Sequence, residues 1–240
     1  LGTRFEQYKD IYLSPALGFS REDLKVSSTA SKTLKDQAGV FNELAFDYGI
    51  TSDKRNRTFM PTDGYISSFN QTLPIYSDAA AIKNQYSFSA YESLTPNLTG
   101  AVKFYMGAIN GLDKDVRISK RMQLSQSRLR GFKAGKVGPK DGGDYVGGNY
   151  AASLNFEGAL PNLLPESTKT EVSVFLDMGS IWGVDYSSTV DDSSELRSSV
   201  GINTSWSSPV GPLSLIFSQN ITKATTDETE SFNFKLGTSF

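Results

Sequence analysis

The 240 residues contain no cysteine and no histidine. Without cysteine this chain has no disulfide framework, no thiolate nucleophile and no thiolate metal site. Without histidine it also lacks the commonest general base and the commonest metal ligand. Ser-His-Asp and Cys-His triads are therefore excluded, as are most zinc sites. The formal net charge is only −2, so no bulk basicity points to nucleic acid. No run approaches ~18 consecutive apolar residues, so no segment reads as a transmembrane helix. The opening Leu1-Gly2-Thr3-Arg4 shows neither an initiator methionine nor a signal-peptide pattern, and Leu1 reads as an internal position of a longer chain. Composition points away from an enzyme before any motif is considered.

What is present is aromatic: 15 Phe and 11 Tyr, spread through a chain with 21 Gly and scattered Ser. The recurring hydrophobic signal has period 2, the period of a strand. At the C-terminus Phe232, Phe234, Leu236 and Phe240 share one face, and Ser231, Asn233, Lys235, Gly237 and Ser239 the other. Val200, Ile202 and Trp206 alternate with Ser199, Gly201, Asn203 and Ser205. Val172, Val174, Leu176 and Met178 alternate with Glu171, Ser173, Phe175 and Asp177. Val102, Phe104, Met106 and Ala108 alternate with Lys103, Tyr105 and Gly107. A soluble sandwich would alternate too. Two features favour a membrane barrel instead. The strands run to roughly 10 residues or more, the length of a tilted crossing. Their polar face carries Lys, Glu, Asp and Asn in mid-strand, which suits a wet lumen with the apolar face toward lipid.

The expected fold is all-β, an antiparallel transmembrane β-barrel. Strands are predicted near 2–7, 11–24, 41–52, 64–76, 80–94, 98–110, 147–160, 168–182, 196–207, 212–222 and 230–240. Bacterial barrels place short turns on the periplasmic side and long loops outside. Counted back from a periplasmic C-terminus, the links 25–40, 111–146, 183–195 and 223–229 are all external. The 53–63 link is long for a periplasmic turn. About eleven strands is an odd number, whereas a closed antiparallel barrel from one bacterial chain has an even one. An open edge in lipid is not tolerated, so further strands are expected on the N-terminal side.

The 111–146 stretch is too long for a neutral connection. Its centre reads Ser127-Arg128-Leu129-Arg130-Gly131-Phe132, and the two following strands each place a carboxylate inward, Glu157 and Asp177. An arginine on a loop folded into the lumen could pair with both, with bidentate geometry supplying strength and register. On residue types alone a solvated Arg130 is an equal reading. A glycosidase pair of Glu157 and Asp177 fits less well, because the arginine favours an ion pair. The acidic stretch Asp185, Asp191, Asp192 and Glu195 has no ordered ligand spacing for Ca²⁺ and reads as a solvated loop. Tyr65, Tyr76, Tyr86, Tyr150 and Trp182 are candidates for interfacial girdles.

Leu129-Arg130-Gly131-Phe132 resembles the Val-Arg-Gly-Phe signature of the outer-membrane β-barrel assembly family, the BamA-like proteins, with Leu in place of Val. The following Val137-Gly138-Pro139-Lys140 and Gly147-Gly148-Asn149 resemble the same family. So do Phe175 to Trp182, with its Asp-x-Gly-x-x-Trp ending, and the turns Pro61-Thr62-Asp63-Gly64 and Ser208-Pro209-Val210-Gly211-Pro212. The closing strand Phe232 to Phe240 with its terminal aromatic completes the series. The resemblance runs from about residue 41 to the end; residues 1–40 match only as generic strands and a loop.

The resemblance implies the C-terminal part, roughly eleven strands, of a barrel of about sixteen. Residues 1–240 would be one partial barrel domain, with periplasmic POTRA domains and the first strands lying upstream. It implies that Arg130, Gly131 and Phe132 anchor the inward loop and that Glu157 and Asp177 are the acidic partners. It implies a lateral seam involving the closing strand, where Phe232, Phe234, Leu236, Gly237 and Phe240 lie, with Gly237 at a kink. The implied role is a chaperone-like insertase, not an enzyme, which folds and inserts barrel proteins into the bacterial outer membrane. Its implied partners are nascent outer-membrane proteins, accessory assembly lipoproteins and outer-membrane lipids, with no cofactor and no nucleic acid. A TamA-like translocation-assembly protein or a two-partner secretion transporter shares the Arg-Gly-aromatic loop and is the alternative.

Overall fold

In the computed structural model the described residues are 1–160, 163–165, 168, 170–185, 190–208 and 211–236. They form an 11-stranded antiparallel sheet and a 2-stranded hairpin. The strands are β1 (Phe5–Tyr8), β2 (Ile11–Leu24), β3 (Gly39–Asp53), β4 (Gly64–Ser77), β5 (Ala81–Thr95) and β6 (Leu98–Gly111). A hairpin of β7 (Lys140–Asp141) and β8 (Asp144–Tyr145) follows inside the long loop. The wall resumes with β9 (Tyr150–Leu160), β10 (Thr170–Trp182), β11 (Arg197–Ser208), β12 (Gly211–Thr222) and β13 (Phe232–Leu236). Each wall strand pairs with its neighbour in sequence, and β6 pairs with β9 across the loop. This is an up-and-down meander, the order that period-2 segments joined by polar links produce.

The sheet inverts the partition of a soluble protein. Ser153, Asn155, Ser173, Asp177, Ser199, Ser205 and Ser214 are buried, while Val102, Met106, Phe156, Val174, Val200, Ile202, Phe217, Phe232 and Phe234 are exposed. Because side chains alternate, each strand has a polar inner face and an apolar outer face. An outer face of this kind is stable against hydrocarbon rather than water. No helix among the described residues is long and apolar enough to cross a membrane.

The buried apolar cluster lies inside, not between sheets. Val116, Met122, Leu124, Leu129, Phe132 and Val137 of the 111–146 segment pack on Tyr105, Ile109, Ala151 and Ile181 of the wall. The long loop therefore folds back over the inner face and supplies the protein's own core.

Several boundaries differ from those read in the sequence. Tyr8 belongs to β1, and the turn into β2 uses Asp10 at φ 64°, a left-handed position that Asp tolerates. The strand expected from 147 begins at Tyr150, because Gly147 and Gly148 lie against the loop, with Gly148 and Met122 bonded in both directions (2.7 and 3.1 Å). The strand expected from 230 begins at Phe232, since residues 228–230 bond to the loop. The 25–40 link contains a short helix, α1 (Lys32–Asp36), capped by the Ser31 hydroxyl accepting from Leu34 N. Gly237 and Phe240 of the closing strand, and Pro209 and Val210 of the last short turn, lie outside the described residues.

Candidate functional site: the inward loop on the wall

Two rows of inner-face residues run across the wall at adjacent levels. The first is Lys103, Asn155, Asp177, Ser199 and Asn220, one from each of β6, β9, β10, β11 and β12. The second is Ala101, Glu157, Phe175, Gly201 and Ser218 on the same strands. Register alone brings these side chains together from positions far apart in the chain.

Residues 128–131 lie crosswise on these rows. Asn155 Nδ2 donates to the carbonyl of Arg128 (2.8 Å), and Ser199 Oγ donates to that of Arg130 (2.5 Å). Asn220 Nδ2 donates to the carbonyl of Gly131 (3.0 Å). Between them, Arg130 meets Asp177 at three points. Nε donates to Oδ2 (2.7 Å), Nη2 to Oδ1 (2.7 Å), and the backbone N to Oδ2 (3.0 Å). Side chains of successive strands thus read successive backbone groups of the loop.

Glu157 adds a second carboxylate, with Oε1 at 3.5 Å from Arg130 Nη1. Glu157 is itself held by Lys103 (2.8 Å) and by the Ser173 hydroxyl (2.7 Å). The four charges alternate in sign and sum to zero, which lets them share a partly water-excluded space. The Arg130 guanidinium lies 3.6 Å over the Phe175 ring, and Arg128 lies 3.6 Å over Tyr105. Asp177 is 0% exposed and Arg130 7%, so Arg130 is not a solvated loop cation.

Two glycines make this approach possible. Gly131 has φ 87°, and a Cβ there would sit 3.2 Å from Asn220, Ser199 and Ser218 side-chain atoms. Gly201 lies under Phe175, where a Cβ would come within 2.5 Å of the ring. Phe132, 2% exposed, then enters the inner apolar cluster.

At one end of the sheet the long links clasp one another. Arg197 at the start of β11 pairs with Asp227 (Nε–Oδ2 2.8 Å, Nη2–Oδ1 3.2 Å), and Asp227 also accepts from Ala224 N (2.7 Å). Asp185 accepts from Val116 N (2.6 Å) and from the Asn149 side chain. Ser31 N donates to Asp144 (3.0 Å), and Ile118 N to Gln37 (2.7 Å). Glu228 bonds to Lys133 (3.1 Å), which, with Lys136 and Lys140 nearby, holds its carboxyl below the usual range. The 53–63 link, long for a turn, brings Phe59, Met60 and Pro61 to an inner cavity of about 380 Å³ that Arg128, Lys103 and Glu157 also line.

Of the residues singled out in the sequence, the structure brings Arg130, Glu157 and Asp177 into one cluster. It places Phe232, Phe234 and Leu236 on the exposed outer face of the last described strand (48%, 52% and 62% exposed). Sequence reasoning missed the supporting side chains: Lys103, Ser173, Ser199, Asn220, Arg197 and Asp227. Their signal is a polar residue on the inner face at matching register, which cannot be aligned before strand pairing is known.

A curved antiparallel wall, apolar outside and polar inside, with a loop ion-paired to its inner face, defines a membrane β-barrel of the kind that folds a loop into its own lumen. The Omp85 superfamily domain matches residues 1–240, and the chain belongs to that superfamily. Among similar curated proteins is the outer membrane protein assembly factor BamA of Neorickettsia risticii, 26% identical over 96% of this chain and 32% of that protein. The BamA of Neisseria meningitidis serogroup B is 27% identical over 80% of this chain and 28% of that protein. The human sorting and assembly machinery component 50 homolog is 28% identical over 60% of this chain. The chain spans about a third of the length of these curated relatives. The fold matches the crystal structure of BamA from Haemophilus ducreyi lacking POTRA domains 1–3, with TM-score 0.85 and 23% identity over 96% of this chain and 52% of that one.

Proposed function

We propose that this chain is part of the barrel of an outer-membrane protein assembly factor, one that folds and inserts β-barrel proteins at a lateral seam formed by its first and last strands. The observation that carries the reading is the loop segment 128–131, bound crosswise on four strands and ion-paired through Arg130 to Asp177 and Glu157. The names of the bacterial relatives support the same role. The C-terminus is assigned to the periplasmic side; Leu236, where the described part of β13 ends, is opposite the end where the long links meet. No catalytic step is part of the proposal.

The physics is strand addition. The outer edge of β13 has no partner strand among the described residues. In hydrocarbon an open edge costs several kcal/mol for each unmet backbone group. An incoming client strand satisfies those groups by extending the sheet, and its apolar face moves into lipid as it does so. The clients are nascent outer-membrane proteins, and accessory lipoproteins and lipids are the partners around the seam.

The test replaces the natural full-length gene with versions carrying Arg130→Ala or Asp177→Asn and measures folded outer-membrane barrels by heat-modifiable gel mobility. The expected outcome is a general fall in folded barrels. Loss of one secreted protein with normal barrel levels would overturn the reading in favour of a secretion transporter.

A further inference from the structure

Among the described residues the closing strand β13 pairs with β12 at five positions, from Phe217↔Phe232 to Leu213↔Leu236. The segment that leads into it is bonded instead to the inward loop. Phe132 and Thr229 form an antiparallel bridge. Around it Lys133 N donates to Glu228 O (3.0 Å), Glu228 N to Lys136 O (3.1 Å), and Glu230 N to Gly131 O (3.0 Å). Residues 131–136 and 228–230 are therefore bonded backbone to backbone around one antiparallel bridge.

One side chain joins both partners. Glu230 Oε2 accepts from Gln126 Nε2 of the loop (2.8 Å) and from Asn233 Nδ2 of β13 (2.7 Å). The Gly131 carbonyl is the matching point on the loop, since it accepts from Asn220 of β12 as well as from Glu230 N. The next residue, Ser231, is bonded to β12 through Ser218 N (2.8 Å). The contact between Gly131 and Glu230 thus lies one residue after Arg130 on one side and two residues before Phe232, the start of β13, on the other.

We propose that residues 228–230 are a latch that ties the closing strand to the docked loop, with Glu230 as its positioning residue. When Arg130 is seated on Asp177 and Glu157, the entry of β13 is held against the inner wall. When the loop lifts, the entry of β13 loses these bonds and is left with its pairing to β12. The anchor on β10 thereby sets the freedom of a strand three positions away in the sheet. The consequence for client insertion rests on the seam proposed above; the coupling itself does not.

The test is amide hydrogen exchange on the full natural protein in lipid nanodiscs, without clients. Asp177→Asn is expected to speed exchange of residues 228–236 about tenfold, with β3 to β5 unchanged. Glu230→Ala, which removes only the side-chain bridge, is expected to speed the same residues by about threefold. These 240 residues contain no cysteine, so Phe132→Cys with Thr229→Cys, the directly opposed pair of the bridge, makes a reversible lock if the rest of the protein is also free of thiols. Oxidation is expected to slow exchange of 232–236 relative to the reduced form. Loop residues that loosen in Asp177→Asn while 232–236 keep their rate would overturn the latch, as would a disulfide that leaves 232–236 unaffected. Should the latch hold while insertion is normal in Glu230→Ala, the coupling stands and the seam reading fails.

Discussion

Asp177 is fully buried and accepts three hydrogen bonds from a single residue, Arg130. A bidentate pair of this kind is strong because both charges are already desolvated and each satisfies the other. Removing one partner leaves a buried charge without compensation, at a cost of about 3–5 kcal/mol. Asp177→Asn keeps the volume and loses the charge, so it is expected to lower stability in detergent by about 3 kcal/mol. Glu157 softens the loss, since it remains 3.5 Å from the guanidinium, although it is shared with Lys103. A double-mutant cycle with Arg130→Met isolates the pair. A coupling energy of zero would remove the ionic anchor from the account. At the same scale, Arg130 and its two carboxylates were legible as residue types on a long loop and two inward faces. The platform was not: Phe175 is flat against the wall only because Gly201 has no side chain.

Among the elements, strands were the readable part. Period-2 alternation located all eleven wall strands, because a one-residue slip would turn every apolar side chain inward. Their ends moved by a few residues wherever the loop competes for the backbone, as at Gly148 and Glu230. The links were legible only as lengths. That four of them interlock follows from pairs such as Arg197–Asp227, which is buried on both sides (side chains 4% and 0% exposed). Asp227→Asn is expected to leave Arg197 unpaired and to release the 223–229 link. Trypsin cleavage at Lys223 should then quicken by about tenfold, with the strands still protected. An unchanged cleavage rate would place the strength of the clasp elsewhere.

At the level of the whole molecule the outer face decides where the protein resides. Ile202 is 49% exposed on β11, and its neighbour Asn203 faces inward, bonded to Ser173 and Ser205. Lipid against the outer face makes a lysine there costly, by about 2–4 kcal/mol near the midplane. Ile202→Lys is therefore expected to shift urea unfolding from lipid vesicles by that amount, and Asn203→Lys by about 1 kcal/mol or less. Equal costs at the two positions would argue against a lipid-facing exterior. Both faces were readable from alternation, whereas the inner apolar cluster between loop and wall was not. Its loop members, such as Met122 and Leu129, carry no period that distinguishes them from an ordinary surface link.

The order of residues by itself determined the all-β class, the eleven-strand meander, the polar and apolar faces and the absence of thiol and imidazole chemistry. These depend on neighbours in sequence, through the two-residue period and residue type. Only the tertiary structure decided that Lys103, Asn155, Asp177, Ser199 and Asn220 form one row, that residues 128–131 lie across it, and that the loop bonds to the entry of β13. Such contacts join residues up to about a hundred positions apart, and their existence depends on strand register and on a loop folding inward, neither of which leaves a local pattern.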